Sequence, residues 1–70
     1  MTIGQRAVQA IKEEAEAHNV SFEDECAALD IERTVVRGWR KGTCNPASYY
    51  LSQMARNGYD IMWILLGDEK

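Results

Sequence analysis

The sequence predicts a single all-α domain of five short helices, residues 1–70. Three observations lead there. Helix caps and helix stops alternate along the chain, apolar residues between them recur at helical spacing, and no alternating run bounded by turn residues reads as a strand. Seventy residues admit one domain. A chain this short buries only about 60% of its unfolded surface, so a deep active-site cavity is not expected.

The elements follow in order. Thr2-x-x-Gln5 is a capping-box pattern, and Val8, Ile11 and Ala15 then repeat at helical spacing up to an end near His18-Asn19. Ser21 is a good cap for a second helix, with Glu23 and Asp24 in the first turn, where negative charge suits the helix dipole. Phe22, Cys26 and Leu29 share one face of it, and Asp30-Ile31 interrupts it. A third helix is expected from about Glu32 to Lys41, stopped by Gly42. Asn45-Pro46 would open a fourth as cap and first residue, with Leu51, Met54 and Ala55 apolar and Gly58 at its end. Asp60 caps a last helix that runs through Leu66 and closes at Gly67.

Composition narrows the function classes. The chain is 46% hydrophobic and 27% charged, outside the disordered range. Its longest apolar run, Ile61 to Leu66, falls far short of the roughly 20 residues a bilayer requires. The N-terminus lacks the basic-then-apolar order of a secretory signal. A cytoplasmic protein with no membrane partner is expected. Cys26 and Cys44 have no CxxC spacing, and His18 is the single histidine, too few ligands for a structural zinc site. Cys26 reads as a small buried thiol and Cys44 as a loop thiol. His18, near a helix end, reads as a partner of the dipole. No nucleophile stands beside a base, so no catalytic residue, metal or cofactor is expected.

The third helix carries the functional signal. The net charge is −3, yet half of the eight basic residues lie between Arg33 and Lys41, with no acid among them. At about 100° per residue, Val35, Val36 and Trp39 occupy one arc. Arg33, Arg37 and Arg40 form a stripe on the other side, flanked by Thr34 and Lys41. A helix with one buried apolar arc and one basic arc, following a short helix after a tight turn, suits the DNA major groove. The helix-interior Gly38, which costs about 1 kcal/mol against alanine, is read as a place where the backbone comes close to DNA. A merely solvated basic face is the alternative.

Residues Ser21 to Pro46 also resemble the helix-turn-helix of the lambda-repressor/Cro-like (XRE) family. Cys26 stands at its small-residue position, Leu29-Asp30-Ile31 at its turn, and Val36, Trp39, Gly42 and Pro46 follow at its spacings without insertion. Gly58 to Gly67 is similar to the closing helix of phage repressors. The resemblance implies a compact five-helix lambda-repressor-like domain with the helix-turn-helix at about residues 21–42. It implies a sequence-specific transcriptional regulator, binding a near-palindromic operator in double-stranded DNA as a dimer. Its base-contacting positions fall on Arg33, Thr34 and Arg37, with Arg40 and Lys41 beside them. The chain departs from the family at Glu25, where an aliphatic core residue is usual, at Asp30 for the turn glycine, and at Glu32 for the serine cap. The acids Glu23 to Glu25 are expected near the phosphate backbone, where they would lower affinity. A protein-interaction module on the same fold is the alternative.

The last helix is apolar all round, although a short surface helix needs only one apolar side. Ile61, Ile64 and Leu65 share one face, assigned to the core. Met62, Trp63 and Leu66 share the opposite face, expected in water and assigned to a homodimer interface.

Overall fold

A computed structural model describes residues 1–67 and contains five helices and, among the described residues, no strand. Helix α1 (Ile3–His18) starts at the capping box: Gln5 N donates to Thr2 Oγ1 at 3.1 Å and Thr2 N to Gln5 Oε1 at 3.0 Å. Helix α2 (Phe22–Ala28) starts at Ser21, whose Oγ accepts from Asp24 N at 3.1 Å. Helix α3 (Arg33–Lys41) starts at Glu32 with no side-chain cap bond. Helix α5 (Ile61–Leu66) starts at Asp60, whose Oδ1 accepts from Trp63 N at 3.0 Å.

Four helices close in the same way. After α1, α2, α3 and helix α4 (Ser48–Arg56), a residue at positive φ is followed by an amide that bonds back five residues. The pairs are Val20 N to Ala15 O, Ile31 N to Cys26 O, Thr43 N to Gly38 O and Tyr59 N to Met54 O. This closure satisfies carbonyls that a helix end would otherwise orphan. Asn19, Asp30, Gly42 and Gly58 hold the left-handed positions. Asp30 thus adopts the conformation for which the turn glycine is usual, at φ 58°, and its carboxylate accepts from Tyr49 Oη at 3.1 Å.

Helix α4 begins later than the sequence predicts, and Asn45 does not cap it. Ala47 occupies the cap position without a side-chain bond. Asn45 Oδ1 instead accepts from Gly4 N at 3.2 Å, serving a free amide in the first turn of α1, and Pro46 is buried. Of the apolar α4 residues Leu51, Met54 and Ala55, Met54 is buried, Leu51 half-buried and Ala55 exposed. Tyr50 also joins the core, packed edge-on against Trp39 with ring centroids 5.5 Å apart.

Helix α1 is the hub, packing against α2, α3 and α5, while α4 packs against α5. Its inward face is small, with Ala7, Ala10 and Ala15 buried beside Ile11. Gly4 permits the crossing with the α3 region, because a Cβ there would stand 2.5 Å from Cys44 O and 2.9 Å from Trp39 Cα. Trp39, Ile11, Leu29, Met54 and Ile64 are the large side chains wholly removed from water. One guanidinium ties the start of α1 to the end of α5: Arg6 donates to Ile64 O at 2.8 Å, Leu65 O at 3.1 Å and Met1 O at 2.8 Å.

Candidate nucleic-acid interface

Helix α3 divides as its sequence predicts. Val36 and Trp39 are buried and Val35 is half-buried. Arg33, Thr34, Arg37, Arg40 and Lys41 are all exposed. Among the described residues, no carboxylate lies within ion-pair distance of these four cations. Arg40 is held in place by an aromatic ring, its guanidinium carbon 5.1 Å from the Phe22 centroid. Such a contact orients the cation without neutralising it.

Gly38 is approached closely from within the chain itself. A Cβ there would meet Cys44 Sγ at 3.1 Å and Cys44 Cβ at 3.3 Å. The Gly38 carbonyl also gathers the amides of Gly42, Thr43 and Cys44 at 3.1 to 3.3 Å and the Thr43 hydroxyl at 3.3 Å. The glycine lets the loop after α3 fold back onto the helix. That close approach is internal to the chain.

The three acids of α2 do not act together. Glu23 and Asp24 are exposed, but Glu25 is 5% exposed and turned into the protein. Its Oε2 accepts from Tyr59 Oη at 2.7 Å, and its Oε1 lies 3.0 Å from His18 Nδ1. His18 Nε2 is 3.5 Å from Glu14 Oε2. Burial alone would raise the Glu25 carboxyl; the bonds from His18 and Tyr59 outweigh it and hold it below the usual carboxylate range. The hydrogen bond to Glu25, and then its charge, raise His18 above 6.5. Burial, then the bond to Glu25, push the Tyr59 phenol far above its ordinary value. His18 is therefore half of a bridge between α1 and α2 rather than a solitary helix-end residue. The helical spacing Phe22, Glu25, Cys26, Leu29 carried the signal for an inward Glu25.

On α5, Met62 and Leu66 are 64% and 59% exposed, as expected of an outward face. Trp63 departs from that expectation: it is half-buried and packs against the chain's own core. Leu65, assigned to the core, is 37% exposed. Arg6 donates to the Leu65 carbonyl at the end of this six-residue helix, Trp63 lies against the core cluster and Leu65 stands at its edge. The exposed apolar set is Met62, Leu65 and Leu66.

Cys26 is buried and Cys44 exposed, and among the described residues no group of His, Cys, Asp or Glu could hold a metal ion. No helix among them is long and apolar enough to cross a membrane. No family model, curated protein or solved structure matches the chain. What the fold and the site define is an all-helical domain presenting one short helix, apolar inward and basic outward.

Proposed function

We propose that this chain is a sequence-specific DNA-binding transcriptional regulator of the lambda-repressor/Cro-like type, its helix-turn-helix formed by α2, the Leu29–Glu32 turn and α3. The reading rests on one observation: Arg33, Arg37, Arg40 and Lys41 project together from a helix whose other side is anchored by Val36 and Trp39, and among the described residues no carboxylate lies within ion-pair distance of them. Unneutralised guanidiniums on a rigid helix suit the paired acceptors of guanine and the phosphates beside them. The resemblance of Ser21–Pro46 to the family supports the same reading. The mechanism is occupancy: a dimer joined through α5 covers a near-palindromic operator and blocks transcription, in the cytoplasm of a bacterial host. Selection of bound sites from a random DNA pool tests it. An enriched, two-fold-related motif is the expected outcome, and no enrichment at low salt would overturn it.

Glu23 favours a second reading, a protein-interaction module on the same fold. Its carboxylate lines the same cleft as Arg33, Arg37 and Arg40 and opposes phosphate there. Retention on heparin or random DNA that falls with salt supports the first reading; absence of any retention supports the second.

A further inference from the structure

Between α2 and α3 lies a cleft of about 470 Å³, within the range of small-molecule sites. Its floor is apolar: Cys26, Ile31 and Val36 are each less than a tenth exposed, and Phe22 forms a wall. Burial pushes the Cys26 thiol up, so the floor carries no charge at neutral pH. Its rim is cationic, carrying Arg33, Arg37 and Arg40 against the single acid Glu23. The stack of Arg40 on Phe22 separates this cleft from a second depression against α1, where Val8 and Lys12 lie, so one guanidinium is fixed at the wall.

Two demands meet in this cleft. Inorganic phosphate would answer the guanidiniums but leave the apolar lining that Phe22 and Ala27 expose above the floor in water. A neutral hydrocarbon would cover the apolar lining and leave the rim's excess of positive charge, three guanidiniums against Glu23, unanswered. A molecule with both parts answers both, and the two parts must lie within a few ångströms of one another. We infer that the α2–α3 cleft is a binding site for a small organic anion, a carboxylate on a compact apolar body, seated with its body against Phe22 and Ala27 above the buried Cys26, Ile31 and Val36 and its carboxylate among Arg33, Arg37 and Arg40. Such a ligand occupies the guanidiniums that DNA would use, so it acts as an inducer by direct competition. That consequence, unlike the site itself, rests on the proposed function.

Octanoate is the probe, with acetate and octylammonium as controls, each titrated into the whole chain and followed by amide NMR shifts. Octanoate should saturate, with its largest shifts at Cys26, Ile31, Val36 and Arg37. Acetate should bind at least tenfold more weakly, and octylammonium should leave these amides unmoved. The double variant R37Q/R40Q alters two exposed side chains and should weaken octanoate at least tenfold while keeping a folded spectrum. Octylammonium matching octanoate, shifts centred on Met62 and Leu66 instead, or undiminished binding by the double variant would each overturn the site. Octanoate should also displace DNA from the parent; both bound at once would overturn the competition. Octanoate bound by a chain that holds no DNA removes the regulator reading and leaves the site. DNA bound by a chain that ignores octanoate does the reverse.

Discussion

The Tyr59 hydroxyl donates to the Glu25 carboxylate at 2.7 Å, joining α2 to the residue just before the α5 cap across 34 positions of sequence. Both groups are less than a tenth exposed. Tyr59→Phe strips a buried carboxylate of one partner and should cost roughly 1–3 kcal/mol, read as a lower urea midpoint. Adding Glu25→Leu to Tyr59→Phe replaces the stranded charge with an aliphatic side chain and should recover much of the loss. A Tyr59→Phe chain that unfolds at the parent's midpoint would show that the bond contributes nothing.

Stability should depend on pH through His18. Its folded pKa is raised above 6.5 by Glu25, so the folded chain holds the proton more tightly than the unfolded one. That contribution is fully present below the unfolded value and disappears as pH rises through the folded one. The Glu25 carboxyl, lowered from 4.5, behaves oppositely, its contribution being lost as pH falls through its folded pKa. Urea midpoints should therefore decline from pH 6 toward pH 8, and His18→Gln should flatten that decline. An equal slope in the variant would assign the effect to another group.

On a selected operator, Arg33→Ala or Arg37→Ala should each cost about 1–3 kcal/mol and relax base preference at one position. Lys41→Ala should weaken all sequences alike and make the salt dependence shallower. Gel-shift titrations across salt concentrations separate the two patterns. Parent-like binding by all three would remove α3 from the interface.

Glu23→Gln should tighten binding to random DNA, most at low salt, where charges are least screened. Glu25→Gln should leave that affinity nearly unchanged and lower the urea midpoint instead, because its carboxylate faces Tyr59 and His18. Anisotropy titrations of both variants at two salt concentrations check the contrast. Equal effects on affinity would mean that the two acids are not separated as described.

Leu66→Lys should abolish self-association without loss of fold, since Leu66 is exposed on α5. Trp63→Ala should lower stability first, because that ring packs on its own core. Sedimentation across a wide concentration range, paired with thermal melts, distinguishes the two. A parent that stays monomeric at high concentration would remove α5 as a dimer interface.

Features whose partners lie within one helical turn or just beyond a helix end are legible in the amino-acid string. The Thr2–Gln5 box, the Ser21 and Asp60 caps, the stops at Asn19, Gly42, Gly58 and Gly67, and the two faces of α3 all depend on spacings of three to five residues. Such spacings are visible in a one-dimensional string, because backbone geometry alone converts them into contacts. The remaining features depend on residues that only the folded chain brings together. Asn45 serves an amide 41 positions away, Arg6 holds carbonyls 58 and 59 positions away, and Gly38 yields to Cys44 only once the loop has folded back. Glu25 falls between the two cases. Helical periodicity turns it inward, but a carboxylate is stable there only because Tyr59 and His18 meet it, and no local spacing specifies that meeting.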